Sequence, residues 1–168
     1  MATNAIETIT HTLETNLHTL EARLERSLAT KEEHSGRSGR TGGRGLLYAE
    51  LSHAIVGAAI EVHRHVGPGQ LESVYQRALA SELARRCIAA RAQVPIEMLY
   101  KGDKVGDFFA DFIVDGKIVV ELKATDRPHG LHIAQVLSYL RATRLSLGLL
   151  INFNAPVLYR GVRRVILD

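Results

Sequence analysis

The chain has 168 residues, 46% of them hydrophobic, and a formal charge of +3. That is enough for one domain with an extension, and no apolar run reaches the length of a membrane span. With Cys87 as the only cysteine an intrachain disulfide is excluded, so a reducing cytoplasm is the expected compartment.

The first segment is read as one amphipathic helix over residues 4–30. Asn4 is placed to cap it, with Glu7 three residues on. Ile6, Ile9, Leu13, Leu17, Leu20, Leu24 and Leu28 are spaced 3, 4, 4, 3, 4 and 4 apart. That eleven-residue pattern gives a narrow, nearly straight seam, which suits a partner helix better than a broad core. Residues 1–33 are therefore expected to self-associate into a homo-oligomer of coiled-coil type. The segment carries six Glu against Arg23, Arg26 and Lys31, and lacks the basic start and apolar centre of a signal peptide.

Residues 34–45 form a Gly/Arg-rich linker by composition. Its arginines, Arg37, Arg40 and Arg44, are candidate phosphate contacts, although a solvated spacer is the favoured reading of the composition.

The domain proper is expected over residues 46–168. A helix is predicted over 47–65, ended by Gly67-Pro68-Gly69, and a second over 71–90. Strands follow at about 93–100, 106–114 and 118–124, with turns at Lys101-Gly102-Asp103 and Asp115-Gly116. Then come a helix over 129–143, a strand over 147–152 and a last strand over 157–167. This order implies a mixed sheet flanked by helices. Cys87 is expected to be a packed apolar residue.

The most informative residues are Asp111 and the triplet Glu121-Leu122-Lys123. They lie on either side of the Asp115-Gly116 turn, in strands otherwise apolar. Carboxylates and an ammonium in such strands are costly unless they pair or hold a metal. Glu121 and Lys123, two apart, share a face. Two carboxylates and a lysine on one surface can hold a divalent cation and position a water, as phosphodiester hydrolysis requires. A partly buried ion pair is the competing explanation. A strict two-residue turn would set Asp111 and Glu121 on opposite faces, so a common site demands a three-residue loop, a bulge or a strong twist within residues 110–118. Glu72 and Tyr75 on the second helix, and His132, Gln135 and Tyr139 along one side of the later one, are placed to join the site. His63 and His65 are read as helix-end residues rather than metal ligands.

Gly69-Gln70-Leu71-Glu72-Ser73-Val74-Tyr75 resembles the motif of the GxxExxY family, a branch of the PD-(D/E)XK nuclease superfamily. The resemblance continues through Tyr100-Lys101-Gly102, Ala110-Asp111, Glu121-Leu122-Lys123-Ala124, Gln135, Ser138-Tyr139-Leu140 and Leu150-Ile151-Asn152-Phe153, and covers about residues 46–167. It implies an α/β, restriction-endonuclease-like fold with an αβββαβ core. It implies Asp111, Glu121 and the Leu122 carbonyl as ligands of Mg²⁺ or Mn²⁺. It further implies that Lys123 orients or activates the attacking water, that Glu72 is a helical acid near the metal, and that Gln135 supports the site. Tyr75, His132 and Tyr139, with Arg37, Arg40 and Arg44, are the expected substrate contacts. Ala110 stands where the superfamily motif has proline. The expected function is metal-dependent hydrolysis of nucleic-acid phosphodiesters. The alternative is a non-catalytic, self-assembling or nucleic-acid-binding protein on the same fold.

Overall fold

In a computed structural model of the chain, residues 48–126 and 130–167 are described. Residues 1–47, including the expected helix and Arg37, Arg40 and Arg44, lie outside them. The elements are α1 (Ala49–Val66), α2 (Glu72–Arg85), β1 (Ala90–Tyr100), β2 (Asp103–Val114), β3 (Ile118–Lys123), α3 (Gly130–Thr143), β4 (Leu147–Asn152), a 3₁₀ turn (Leu158–Gly161) and β5 (Val162–Ile166). The sheet order is β1-β2-β3-β4-β5. Among the described strands only β3 and β4 run parallel; the crossover between them carries α3. The fold is thus α/β with a mixed five-stranded sheet, of restriction-endonuclease-like type.

Two cores follow from strand alternation. Ile118, Val120 and Leu122 of β3 pack with Ile55, Ala58 and Ala59 of α1 and Tyr75, Leu79 and Leu83 of α2. Val119 packs on the other face, with Val136, Tyr139 and Leu140 of α3. β3 and β4 are the central strands, and their near-continuous apolar runs reflect burial on both faces. Gly148 of β4 lets α3 approach closely: a Cβ there would overlap Val136 Cγ1.

Two expected elements are shorter than the sequence suggested. The second helix stops at Arg85 because Cys87 takes a left-handed conformation (φ 56°). Ile88 N–H then donates to Leu83 O at 2.9 Å and Cys87 N–H to Ala84 O at 3.0 Å, closing the helix end. Cys87 is exposed there, not packed as expected. The last strand begins only at Val162. Before it, Leu158 turns into the core and Gly161 lies against Asn152 O too closely for a side chain, so the chain coils instead of extending.

Candidate active site

The site forms where β2 leaves β3. The β2–β3 ladder holds three pairs, Val114 with Ile118, Ile113 with Val119 and Phe112 with Val120. Asp115, Gly116 and Lys117 form a three-residue loop, with Asp115 and Gly116 both at positive φ (51° and 64°). This is the extra residue that a common site demanded. Continued by one step, the register sets Asp111 opposite Glu121, but the ladder ends before that pair. Asp111 bridges the gap with its side chain: Oδ2 accepts the Leu122 N–H at 2.8 Å.

A second irregularity helps. Ala110 and Ile113 both pack in the core under α3 although they are three apart, so the alternation of β2 breaks between them. The β1–β2 ladder skips the Gln93–Asp111 pair at the same level, and Gln93 has φ 49°. Gln93 Nε2 donates to Asp111 Oδ1 at 3.1 Å.

Glu121 sits in the central strand and is 3% exposed. Its Oε1 accepts from Lys123 Nζ at 2.7 Å, while its Oε2 is buried without a hydrogen-bond partner. Glu72, the first residue of α2, reaches the end of β3, and its Oε1 is 3.9 Å from Lys123 Nζ. Burial raises the pKa of Glu121 from 4.5 to about 7, with Asp111 and Glu72 adding repulsion and the Lys123 contact opposing it. Burial is thus the larger cause, ahead of the mutual repulsion of the carboxylates. It also raises Asp111, against the Leu122 N–H, Lys123 and Gln93, and raises Glu72, against Lys123. Burial disfavours charge on Lys123, but the Glu121 hydrogen bond and three neighbouring carboxylates outweigh it and raise its pKa, so the ammonium stays charged.

α3 supplies the remaining polar groups. Gln135 Nε2 donates to Tyr139 Oη at 2.6 Å. Tyr139 was expected to meet substrate, but it is buried in the core under α3, and that burial is the main cause of its raised pKa. His132 lies in the first turn of α3 and is partly buried. Tyr75 is a correction. It was expected to meet substrate, but its ring is fully buried and stacked on Phe153 at 4.4 Å between centroids. Its hydroxyl donates to Gly67 O at 2.7 Å and accepts from Gln70 N–H at 3.0 Å. It clasps the loop that delivers Glu72.

Two residues near the site had no role assigned from sequence. Gln93 carried no signal, being one polar residue among several on an exposed strand. Asn152 closes an otherwise apolar strand, which was a signal. It is 2% exposed, and its amide exchanges hydrogen bonds with Thr125 N–H (3.1 Å) and Thr125 O (2.8 Å). It therefore fixes the backbone just after Lys123.

A mixed sheet whose central strand ends in Glu-Leu-Lys, with an aspartate gripping that strand from its neighbour, is the arrangement of a nuclease-type, restriction-endonuclease-like fold. The model of the PD-(D/E)XK nuclease superfamily matches residues 49–165, and the chain belongs to that superfamily. No curated protein and no solved structure matches it.

Proposed function

We propose that this protein is a metal-dependent phosphodiesterase acting on nucleic acid, from the GxxExxY branch of its superfamily. One observation carries the reading: Glu121 Oε2 is a buried carboxylate oxygen with no partner, beside a charged lysine and a second carboxylate. An unsatisfied buried oxygen of this kind is costly, and a cation would satisfy it. Among the described residues no three His, Cys, Asp or Glu side chains form a ready metal cluster. The residues still fit a divalent ion if the donors are two carboxylates, Asp111 and Glu121, completed by the Leu122 carbonyl and by water. Such a mixed oxygen set suits Mg²⁺ or Mn²⁺.

When bound, the ion would polarise a phosphate oxygen and lower the pKa of a bound water. The chain's own residues supply the rest. Lys123, held cationic by its carboxylate neighbours, is a hydrogen-bond donor rather than a base. It orients the attacking water and offsets charge on the phosphate. Glu72 fixes the ammonium from the α2 side. Gln135 donates to the Tyr139 hydroxyl, and because Tyr139 is buried the pair would brace α3 against the site and leave substrate contact to exposed groups. His132 at the start of α3, with Arg37, Arg40 and Arg44 of the linker, would contact neighbouring phosphates. Residues 4–30 would join copies of the chain and bring several linkers together. Among the described residues no helix is long and apolar enough to cross a membrane, and we place the protein in the cytoplasm on its cysteine usage.

The test is hydrolysis of single- and double-stranded DNA and RNA by the full chain with Mn²⁺, beside Lys123→Ala. Cleavage that the variant loses supports the reading. Equal cleavage by both proteins, or none by either, overturns it.

A further inference from the structure

We infer that Gln93, on a neighbouring strand and outside the motif residues, is a positioning residue that sets the Asp111 carboxylate for the metal. The inference rests on the function proposed above and deepens it. Three observations meet at this residue. Gln93 has φ 49°, a left-handed conformation inside a β-strand. Residues other than Gly, Asn and Asp seldom adopt it, and strain of this kind concentrates at functional sites. The Gln93–Asp111 pair is skipped in the ladder between Ala92–Phe112 and Val94–Ala110, so this distortion falls on the level of Asp111, apart from the register shift between Met98 and Leu99. Finally, the side chain that the distortion aims is bonded to Asp111 Oδ1 at 3.1 Å.

The geometry explains why such a partner is useful. Oδ2 is already anchored by the Leu122 N–H on β3. One hydrogen bond leaves a carboxylate free to rotate about that contact. A second, to the other oxygen and from the opposite neighbouring strand, fixes the plane of the group. A carboxylate has about four lone-pair sites, so two hydrogen bonds leave two sites for a cation. A neutral amide donor orients the group without competing for it as a second lysine would. Loss of such supporting partners typically weakens metal binding by about 10–100-fold.

Two variants separate the side chain from the backbone. Gln93→Ala removes the amide and keeps a residue strained at positive φ. Gln93→Gly removes the amide and suits that φ. In the full-length protein, Mn²⁺ is titrated by calorimetry, and melting is recorded without metal. The expected result is Mn²⁺ binding about tenfold or more weaker in both variants, with Gln93→Gly melting within a few degrees of wild type. Wild-type affinity in either variant overturns the inference. If Gln93→Ala melts early, Gln93→Gly alone decides. If wild type binds no Mn²⁺, the proposed function fails separately, and a metal-free crystal structure of Gln93→Gly decides the positioning claim. An Asp111 carboxylate turned away from the Leu122 N–H supports it; an unchanged bond overturns it.

Discussion

The carboxylate of Asp111 accepts the amide N–H of Leu122 at 2.8 Å, beyond the last backbone pair of β2 and β3. Side chain replaces ladder at the point where the two strands part. The bond ties the Asp111 side chain to the strand that carries Glu121 just past the end of the ladder. The geometry of the site therefore depends on where a hairpin stops pairing as much as on which residues it carries.

The buried Glu121 predicts a pH dependence of the metal-free fold. Its folded pKa, about 7, lies above its ordinary 4.5, so between these values the folded state holds a proton that the unfolded state has lost. Stability is then full below about pH 4.5, falls as pH rises to about 7 and levels off beyond. Asp111 and Glu72 are shifted in the same direction and add to the slope. The loss from Glu121 is on the order of 3 kcal/mol at most. Urea unfolding at pH 5 and pH 8 in EDTA checks the sign. A metal-free protein more stable at pH 8 would contradict it.

Glu121→Gln should separate stability from function. Removing the buried charge should raise the metal-free melting temperature at pH 8 and flatten the pH slope. The same change should abolish Mn²⁺ binding. Melting curves and calorimetry on one preparation test both halves.

Lys123→Ala should leave the sheet folded, since Lys123 ends β3 and the core of that strand is Ile118 to Leu122. Activity should fall by about 10²–10⁴-fold, the range for loss of a group that handles the reacting water. Circular dichroism with single-turnover hydrolysis checks it; a lowered melting temperature with unchanged activity below it would make the lysine a structural partner only.

Tyr75→Phe removes the hydroxyl bonded to Gly67 and Gln70 and keeps the stacked ring. The expected cost is about 1–2 kcal/mol of stability, with activity changed only a few-fold. By contrast, Gly148→Ala pushes α3, with Gln135 and Tyr139, off the sheet. It should cost about 1–3 kcal/mol and lower activity as well. Denaturant melts and hydrolysis rates for both variants distinguish the two positions.

The N-terminal segment supplies a further test. Deletion of residues 1–33, or Leu17→Asp with Leu24→Asp, should reduce the subunit number measured by light scattering. An unchanged mass would remove that segment from the assembly.

Much of the domain was legible in the sequence because its strands are either apolar runs or end in turn residues. Leu147–Asn152 and Ile118–Lys123 could be drawn from composition alone. The shared site of Asp111 and Glu121 could be stated only as a demand on the hairpin. That Lys117 joins the loop and that Gln93 leaves the ladder to bond Asp111 depends on pairing between strands, which no local pattern encodes. Tyr75 misled for a related reason. A tyrosine one turn from a helix start reads the same whether its hydroxyl meets a substrate or ties down a loop. The end of α2 was overrun because Cys87 gives no hint of the left-handed turn usually marked by glycine.

The central claim is that Asp111 and Glu121 together hold a divalent ion. Calorimetric titration of Mn²⁺ into the full chain at pH 8, beside Asp111→Asn, tests it most directly. The account predicts one ion per chain in the wild type and none at the same concentrations in the variant. Absence of binding in the wild type, or equal binding by both proteins, would contradict it.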